Sequence, residues 1–410
     1  MRRTKLVSNL LLFAAVALIL CAALAVPASA ATLTVGAGGQ FKTIQQAVDA
    51  ANPGDTVLVA PGTYAENVVV NKSVTVTAAS VRPTVQAADS SKDVFLLTSP
   101  GVRIDGLTLT GASGASGVQI QNTSQCAVTN VVARDNARAV YLSYSTNNEV
   151  SNSSLAGNGY GVYADYSSSN TISSNVATGE KGAGNALGDG VYFYYSDSNT
   201  VTQNNLSANH VFGISLFHSS GNDLSNNTIS ANEEHGVRLG ETSNNNTLTF
   251  NTISGNSQLG ILILSATGNK IYLNDFISQP NAVRDASAAI LNSPETMVYT
   301  YGGVERTGYM SNYYSDYKGN DSNGTGIGST PSAYGDKYPL IRPIASYGTI
   351  IPASAVTATP SPSLSIGQNQ STTATSNQSS NGTGLPGFET PYAVAGLLIA
   401  ALVILLKHRR

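Results

Sequence analysis

The chain has 410 residues, of which 11% are charged, with 24 acidic against 21 basic side chains. Setting aside the first 30 residues and everything from Pro386 onward leaves 23 acids and 15 bases, which excludes the basic surface that nucleic acid would need. Of the two cysteines, Cys21 falls in the leading apolar run, so the rest of the chain holds only Cys126 and has no internal disulfide to rely on.

Residues 1–30 carry Arg2, Arg3 and Lys5, then an apolar run over 10–26, then Ala-Ser-Ala ending at Ala30. This pattern predicts a secretory signal cut after Ala30. Cys21 follows Leu-Ile-Leu rather than a small residue, which argues against lipid attachment there.

Residues 31–116 are expected to form a cap and the first turns of a solenoid. Phe41, Ile44, Ala47, Val48 and Ala51 recur at helical spacing and stop at Asn52-Pro53-Gly54. Such a helix would cover the open edge of the first turn. Strand patterns follow in DTVLVA and SVTVTA. With TIQQAV, GDTV, PGTY and SVTV, this region resembles the start of the pectate-lyase-like right-handed parallel β-helix proteins. The later repeats resemble their NosD-type branch, also called the carbohydrate-binding and sugar-hydrolase (CASH) group. The resemblance covers about residues 32 to 345 and implies an all-β, single-stranded right-handed parallel β-helix. It does not choose a function, because this fold hosts lyases, hydrolases, adhesins and structural proteins alike.

Residues 117–281 are the regular repeats. Aligned on the residue that opens each aliphatic strand, Gly117, Ala139, Gly161, Gly190, Gly213, Gly236, Gly260 and Ala282 are spaced by 22, 22, 29, 23, 23, 24 and 22. The step of 29 holds an insertion over 178–190. Further aliphatic columns (Val150, Ile172, Val201, Leu224, Ile271, and Leu155, Ala177, Leu206, Ile229, Phe276) give three strands, hence three faces, per turn. Cys126, Asn148, Asn170, Asn199, Asn222, Asn246 and Asn269 fall in one column; Val131, Ser153, Asn175, Asn204, Asn227, Asn251 and Asn274 fall in another. With turns stacked about 4.8 Å apart, each side-chain amide can bond its neighbour, so both columns are predicted to be ladders. Cys126 terminates the first.

On the strand after each opening residue the outward positions are Gln119, Tyr141, Tyr163, Tyr192, Ser215, Arg238 and Leu262, then Gln121, Ser143, Asp165, Tyr194, Phe217, Gly240 and Leu264. A second column brings Tyr144, Tyr166 and Tyr195, then His218 and Glu241. Such stripes are either strand residues stacking on one another or a sugar platform of flat apolar faces with hydroxyl rims, walled on one side by the insertion. Hydrolysis would need two carboxylates about 5 to 10 Å apart; Asp165 is the candidate, without an evident acidic partner. His210, Glu233, His235, Arg238, Glu241 and His218 are either solvated turn residues or a copper or zinc site, copper being what the NosD resemblance implies.

After Ala282 the repeat dissolves into a tyrosine- and glycine-rich stretch, 282–345, expected to close the last turn. Within it DSNGTGIGSTP is similar to an acidic calcium loop, with Asp321 as the main charged ligand. Residues 346–384, rich in Ser, Thr, Pro, Asn and Gln, read as a stalk. Residues 385–410 contain an apolar run over 392–406 and a basic end. This segment resembles the PGF-type sorting signal of archaeal surface proteins, which implies processing at Pro386, Gly387 and Phe388 and a lipid in place of the helix; the alternative is a retained membrane helix. Eleven Asn-x-Ser/Thr triplets begin at Asn71, Asn122, Asn152, Asn205, Asn226, Asn245, Asn320, Asn323, Asn369, Asn377 and Asn381. The expected protein is secreted and membrane-anchored at the cell surface. It binds a polysaccharide or cell-surface glycan or serves the envelope structurally; a polysaccharide lyase or hydrolase and a copper-handling protein are the alternatives.

Overall fold

The computed structural model describes residues 30–182, 187–279, 281–285 and 288–356. Residues 1–29 of the expected signal peptide, residues 357–384 and the expected sorting segment with Pro386, Gly387 and Phe388 lie outside the described residues. The described chain is a right-handed parallel β-helix with three faces. One is a 12-stranded sheet and one a 10-stranded sheet; the third is split into 5-stranded and 4-stranded parts, joined by single bridges through Val176 and Asn205. The alignment read from the sequence is the observed register: Val118, Val140, Val162, Val191, Ile214, Val237, Ile261 and Val283 pair in succession. These residues and the other aliphatic columns fill one continuous interior, which is what stacked turns bury in place of a globular core.

Both asparagine ladders form. In the first, Nδ2 of Asn148, Asn170, Asn222 and Asn246 donates to Oδ1 of the next turn's asparagine at 3.0 to 3.1 Å. That same oxygen also accepts the previous turn's backbone N–H, including Cys126 N–H at 2.9 Å. The second runs from Asn175 through Asn204, Asn227, Asn251 and Asn274 to Asn312. A third ladder escaped the sequence reading: Asn136, Asn158, Glu180, Asn209, Asn232, Asn256 and Gln279. It crowds the opening glycines together with the next turn's backbone: a Cβ on Gly190, Gly213 or Gly236 would stand 2.7 to 2.8 Å from the next turn's carbonyl oxygen and 2.9 Å from Nδ2 of Asn209, Asn232 or Asn256. The exposed residues just before ladder positions take left-handed backbone, with φ of 56° at Asn147 and 58° at Asn226, a conformation asparagine tolerates. Asparagine therefore serves both corner and ladder.

The helix is Ile44–Ala50, capped by the Thr43 side chain, with Ile44, Ala47 and Val48 buried. Its Gln45 amide accepts from Val69 N–H at 2.8 Å and donates to Val69 C=O at 3.2 Å. Val68–Val70 is the terminal strand of the 10-stranded sheet, so one side chain imitates the missing neighbour at an edge that would otherwise invite pairing. A strand that was not expected, Thr32–Val35, precedes the helix and begins the 12-stranded sheet. Asp55 ties this start down, accepting from Ala31 N–H at 2.7 Å and Asn52 N–H at 2.8 Å.

The far end is closed by an antiparallel hairpin, Met297–Tyr301 with Val304–Gly308, over a second apolar cluster of Leu273, Met297, Tyr299, Met310, Leu340 and Tyr347. One boundary needs correction. Ile351–Pro352 pairs with the hairpin strand and Tyr347 is buried, so the closing segment runs on to Val356 instead of yielding to a stalk at 346. Serine and threonine content concealed this, because the pairing uses backbone.

Candidate functional site

The 10-stranded sheet presents Tyr141, Tyr163 and Tyr192 in register on adjacent turns, followed by Ser215 and Arg238. Alongside them run Ser143, Asp165, Tyr194 and Phe217. At the corner beyond, Asn122, Tyr144, Tyr166, Tyr195 and His218 form a third column, all left-handed, with φ between 46° and 51°. Each hands its backbone N–H to the turn that carries the next member. Left-handed backbone costs a tyrosine about 1 kcal/mol or more. The rings offset this by stacking, at about 0.5 to 1.5 kcal/mol per pair: Tyr144 on Tyr166 at 5.1 Å and 7°, Tyr166 on Tyr195 at 5.0 Å and 1°, Tyr195 on His218 at 4.5 Å and 22°. Tyr194 and Phe217 stack likewise at 5.8 Å, set at right angles to the corner rings.

Ring stacking is one of the two readings of these stripes, and the rings do stack. Rings stacked on one another spend their faces internally, and what they offer outward is a row of edges and hydroxyls at the repeat of the turns. Tyr163 is closer to an interior residue than an exposed one. It lies against Tyr192 at 5.2 Å and 8°, against Tyr141 edge-on at 5.2 Å, and under Tyr160 at 5.3 Å. Burial raises the pKa values of Tyr141, Tyr160 and Tyr163, and pushes that of Tyr192 up to about 12. All four hydroxyls are therefore hydrogen-bonding groups rather than bases at neutral pH.

A column that the sequence reading passed over borders these rings. It comprises the residues immediately before the opening residues, Arg138, Tyr160, Asp189, Phe212 and His235, of which only His235 was a candidate from the sequence. The Arg138 guanidinium lies 4.8 Å from the Tyr141 ring centre and 5.3 Å from that of Tyr163. Asp189 is fully buried; its Oδ1 accepts from Phe212 N–H at 3.1 Å, while Oδ2 has no partner. Burial pushes its carboxyl up to about 8, against the Phe212 hydrogen bond and the Arg238 charge. The signal was available as the residue one step before each aligned glycine.

Asp165 accepts from the Tyr141 hydroxyl at 3.3 Å, its other oxygen is buried without a partner, and burial raises its carboxyl. The register sets Ser143 and Tyr194 beside it, so the missing acidic partner is not supplied there. The histidine constellation separates into pairs. His210 Nδ1 meets Glu233 at 2.8 Å, as their equivalent places in the repeat predict. His218 bonds Thr242 at 2.8 Å and stands 3.9 Å from Glu241. His235 stacks on Phe212 at 5.5 Å, with Nδ1 buried and unpartnered and its pKa lowered by burial; Arg238 lies over Phe212 and Phe217. Among the described residues no three His, Cys, Asp or Glu side chains converge as metal ligands. The Asp321 carboxylate is occupied by its own loop, accepting from Thr325 N–H at 2.9 Å and Gly326 N–H at 2.7 Å.

Comparison with known proteins gives three findings. The profile of a family described as periplasmic copper-binding protein (NosD) matches residues 48–187 and 183–319. A cell surface glycoprotein of Methanothermus fervidus is 33% identical over 92 residues, which is 22% of this chain and 15% of that protein; the match spans far less than two thirds of the relative. Among solved structures, an alginate lyase from Paenibacillus is similar with a TM-score of 0.53 at 15% identity, over 63% of this chain and 99% of the lyase. At that identity the likeness is one of fold.

Proposed function

The chain belongs to the NosD family, and from that premise we propose that it is a surface-anchored, non-catalytic solenoid that binds an extended polysaccharide along the outward face of its 10-stranded sheet. The observation that carries this reading is the pair of aromatic columns on adjacent turns of one face, Tyr141, Tyr163 and Tyr192 in register on the strand and Tyr144, Tyr166 and Tyr195 exposed along the corner beside them. One pyranose unit of an extended chain is about as long as the 4.8 Å step between turns, so successive sugars meet successive Tyr144, Tyr166 and Tyr195 edges. The test is binding of residues 30–356 to a polysaccharide panel. Tyr166→Gly keeps the left-handed corner, removes one ring edge and should weaken binding about fivefold or more; unchanged affinity would remove the aromatic stripe from the site.

Placement outside the cell is part of the same proposal. The signal sequence and the M. fervidus surface glycoprotein support it, with a tether formed either by the C-terminal helix or by a lipid added after cleavage at Pro386-Gly387-Phe388. Mass spectrometry of the mature C-terminus, in wild type and Pro386→Ala, distinguishes the two.

Depolymerisation is the second reading, and its candidate carboxylate is Asp165, half-buried on the same outward face and bonded by the Tyr141 hydroxyl. Polysaccharide cleavage that is lost in Asp165→Asn, with binding retained, would put it first. The copper of the family description does not fit the described residues, whose imidazoles stand singly, His210 and His218 each beside one glutamate and His235 against Phe212.

A further inference from the structure

The corner stack Tyr144, Tyr166, Tyr195 and His218 has two ends. At the His218 end the next turn bonds the imidazole through Thr242 and approaches it with Glu241. At the other end Tyr144 has no ring above it, and exposure rises in that direction, from 39% at Tyr195 to 45% at Tyr166 and 57% at Tyr144. The residue that occupies the same corner one turn earlier is Asn122, left-handed like the tyrosines, with φ of 51°. Its backbone N–H bonds Ser143 C=O, the carbonyl just before Tyr144. Asn122 is exposed and begins Asn122-Thr123-Ser124, an acceptor triplet for N-linked sugar. The ladder asparagines, by contrast, are buried and their amides committed.

We propose that Asn122 carries an N-linked glycan whose first pyranose ring packs its C–H face on the open face of Tyr144, completing the aromatic stack. The attachment atom and the free ring face belong to one column, a turn apart, which is the separation at which the tyrosines already stack. A pyranose there covers the most exposed aromatic ring of the column and leaves its polar edge in water. The same arrangement recurs elsewhere. Asn226, in Asn226-Asn227-Thr228 and left-handed with φ of 58°, precedes Phe250, left-handed and 36% exposed, on the corner one turn on. The inference is independent of polysaccharide binding in trans, since it concerns only the chain's own sugar.

The test uses the full chain purified from an N-glycosylating archaeal host. Glycopeptide mass spectrometry should find sugar at Asn122 and none in Ser124→Ala. Loss of the sugar in Ser124→Ala should lower the melting temperature by about 2 °C or more when Tyr144 is present, and by a small fraction of that in a Tyr144→Gly background. Glycine suits the left-handed corner, and Tyr144→Asp, also tolerant of it, serves if the glycine variant does not fold. Unglycosylated protein from a bacterial host should show no effect of Ser124→Ala. An unmodified Asn122, or the same fall with and without the Tyr144 ring, overturns the proposal.

Discussion

Asn227→Ala probes what holds the solenoid together. Asn227 Oδ1 accepts from Asn204 N–H and Asn204 Nδ2, each at 3.0 Å; its Nδ2 donates to Val201 C=O at 2.8 Å and to Asn251 Oδ1 at 3.0 Å. Alanine keeps the fold's space for a β-carbon but leaves Asn204 N–H buried without its ladder acceptor, which costs about 1 to 3 kcal/mol. The remaining lost bonds add about 1 kcal/mol, since Asn204 Nδ2 keeps Ile172 C=O and Thr202 C=O and Asn251 Oδ1 keeps Asn227 N–H. The sum is about 3 kcal/mol, several degrees of melting temperature for a chain of this size. Asn226, one residue earlier, is exposed and left-handed, so in protein from a host that does not glycosylate, Asn226→Gly should change stability by about 0.5 kcal/mol or less. Thermal unfolding of residues 30–356 by circular dichroism compares the two, with hydrogen exchange at Asn204 as the local readout. Equal stability of the two variants would refute the ladder as a source of stability.

Glu180 replaces asparagine in the third ladder and is buried, with burial pushing its carboxyl up to about 8 from an ordinary 4.5. The folded state therefore keeps a proton that the unfolded state releases between those values, so stability should be greatest below about pH 4.5, fall by up to about 1.4 kcal/mol per pH unit toward pH 8, and then level. Asp189, up to about 8 from 3.8, adds a second component of the same sign. Glu180→Gln should flatten the urea-denaturation profile; an unchanged slope would show that Glu180 is ionised in the fold. Gln45→Ala exposes the Val68–Val70 edge and should raise self-association in analytical ultracentrifugation, whereas a monomer at all concentrations would deny the helix its capping role. Asp321→Asn should loosen residues 321–326 toward proteolysis whether or not calcium is added; protection by calcium in the wild type alone would restore the calcium reading.

Much of the fold was legible because a solenoid converts sequence period into spatial neighbourhood. Once Gly117 through Ala282 were aligned, the register, the buried columns and two ladders followed. The third ladder stayed hidden because Glu180 and Gln279 interrupt its asparagines, although its packing against the opening glycines, together with the next turn's backbone, is what fixed the alignment residue. Spacing also predicted that His210 would meet Glu233. It also set Glu241 after His218 in the corner column, whereas the left-handed corner residue on that turn is Thr242, which His218 bonds, with Glu241 3.9 Å away. Ring orientation was beyond reach as well: the period places Tyr144, Tyr166 and Tyr195 one above another, but only their left-handed backbone turns the faces inward on each other and the edges outward. Arg138, Tyr160 and Asp189 were missed because strand alternation was counted from the opening glycine, one residue too late.

The claim that this face binds an extended polysaccharide is tested most directly by affinity electrophoresis of residues 30–356 through gels containing soluble polysaccharides, with wild type and Tyr166→Gly run side by side. The account predicts that at least one polysaccharide retards the wild type and that the variant is retarded about fivefold less. Retardation of both proteins alike, or of neither by any polysaccharide, would contradict it.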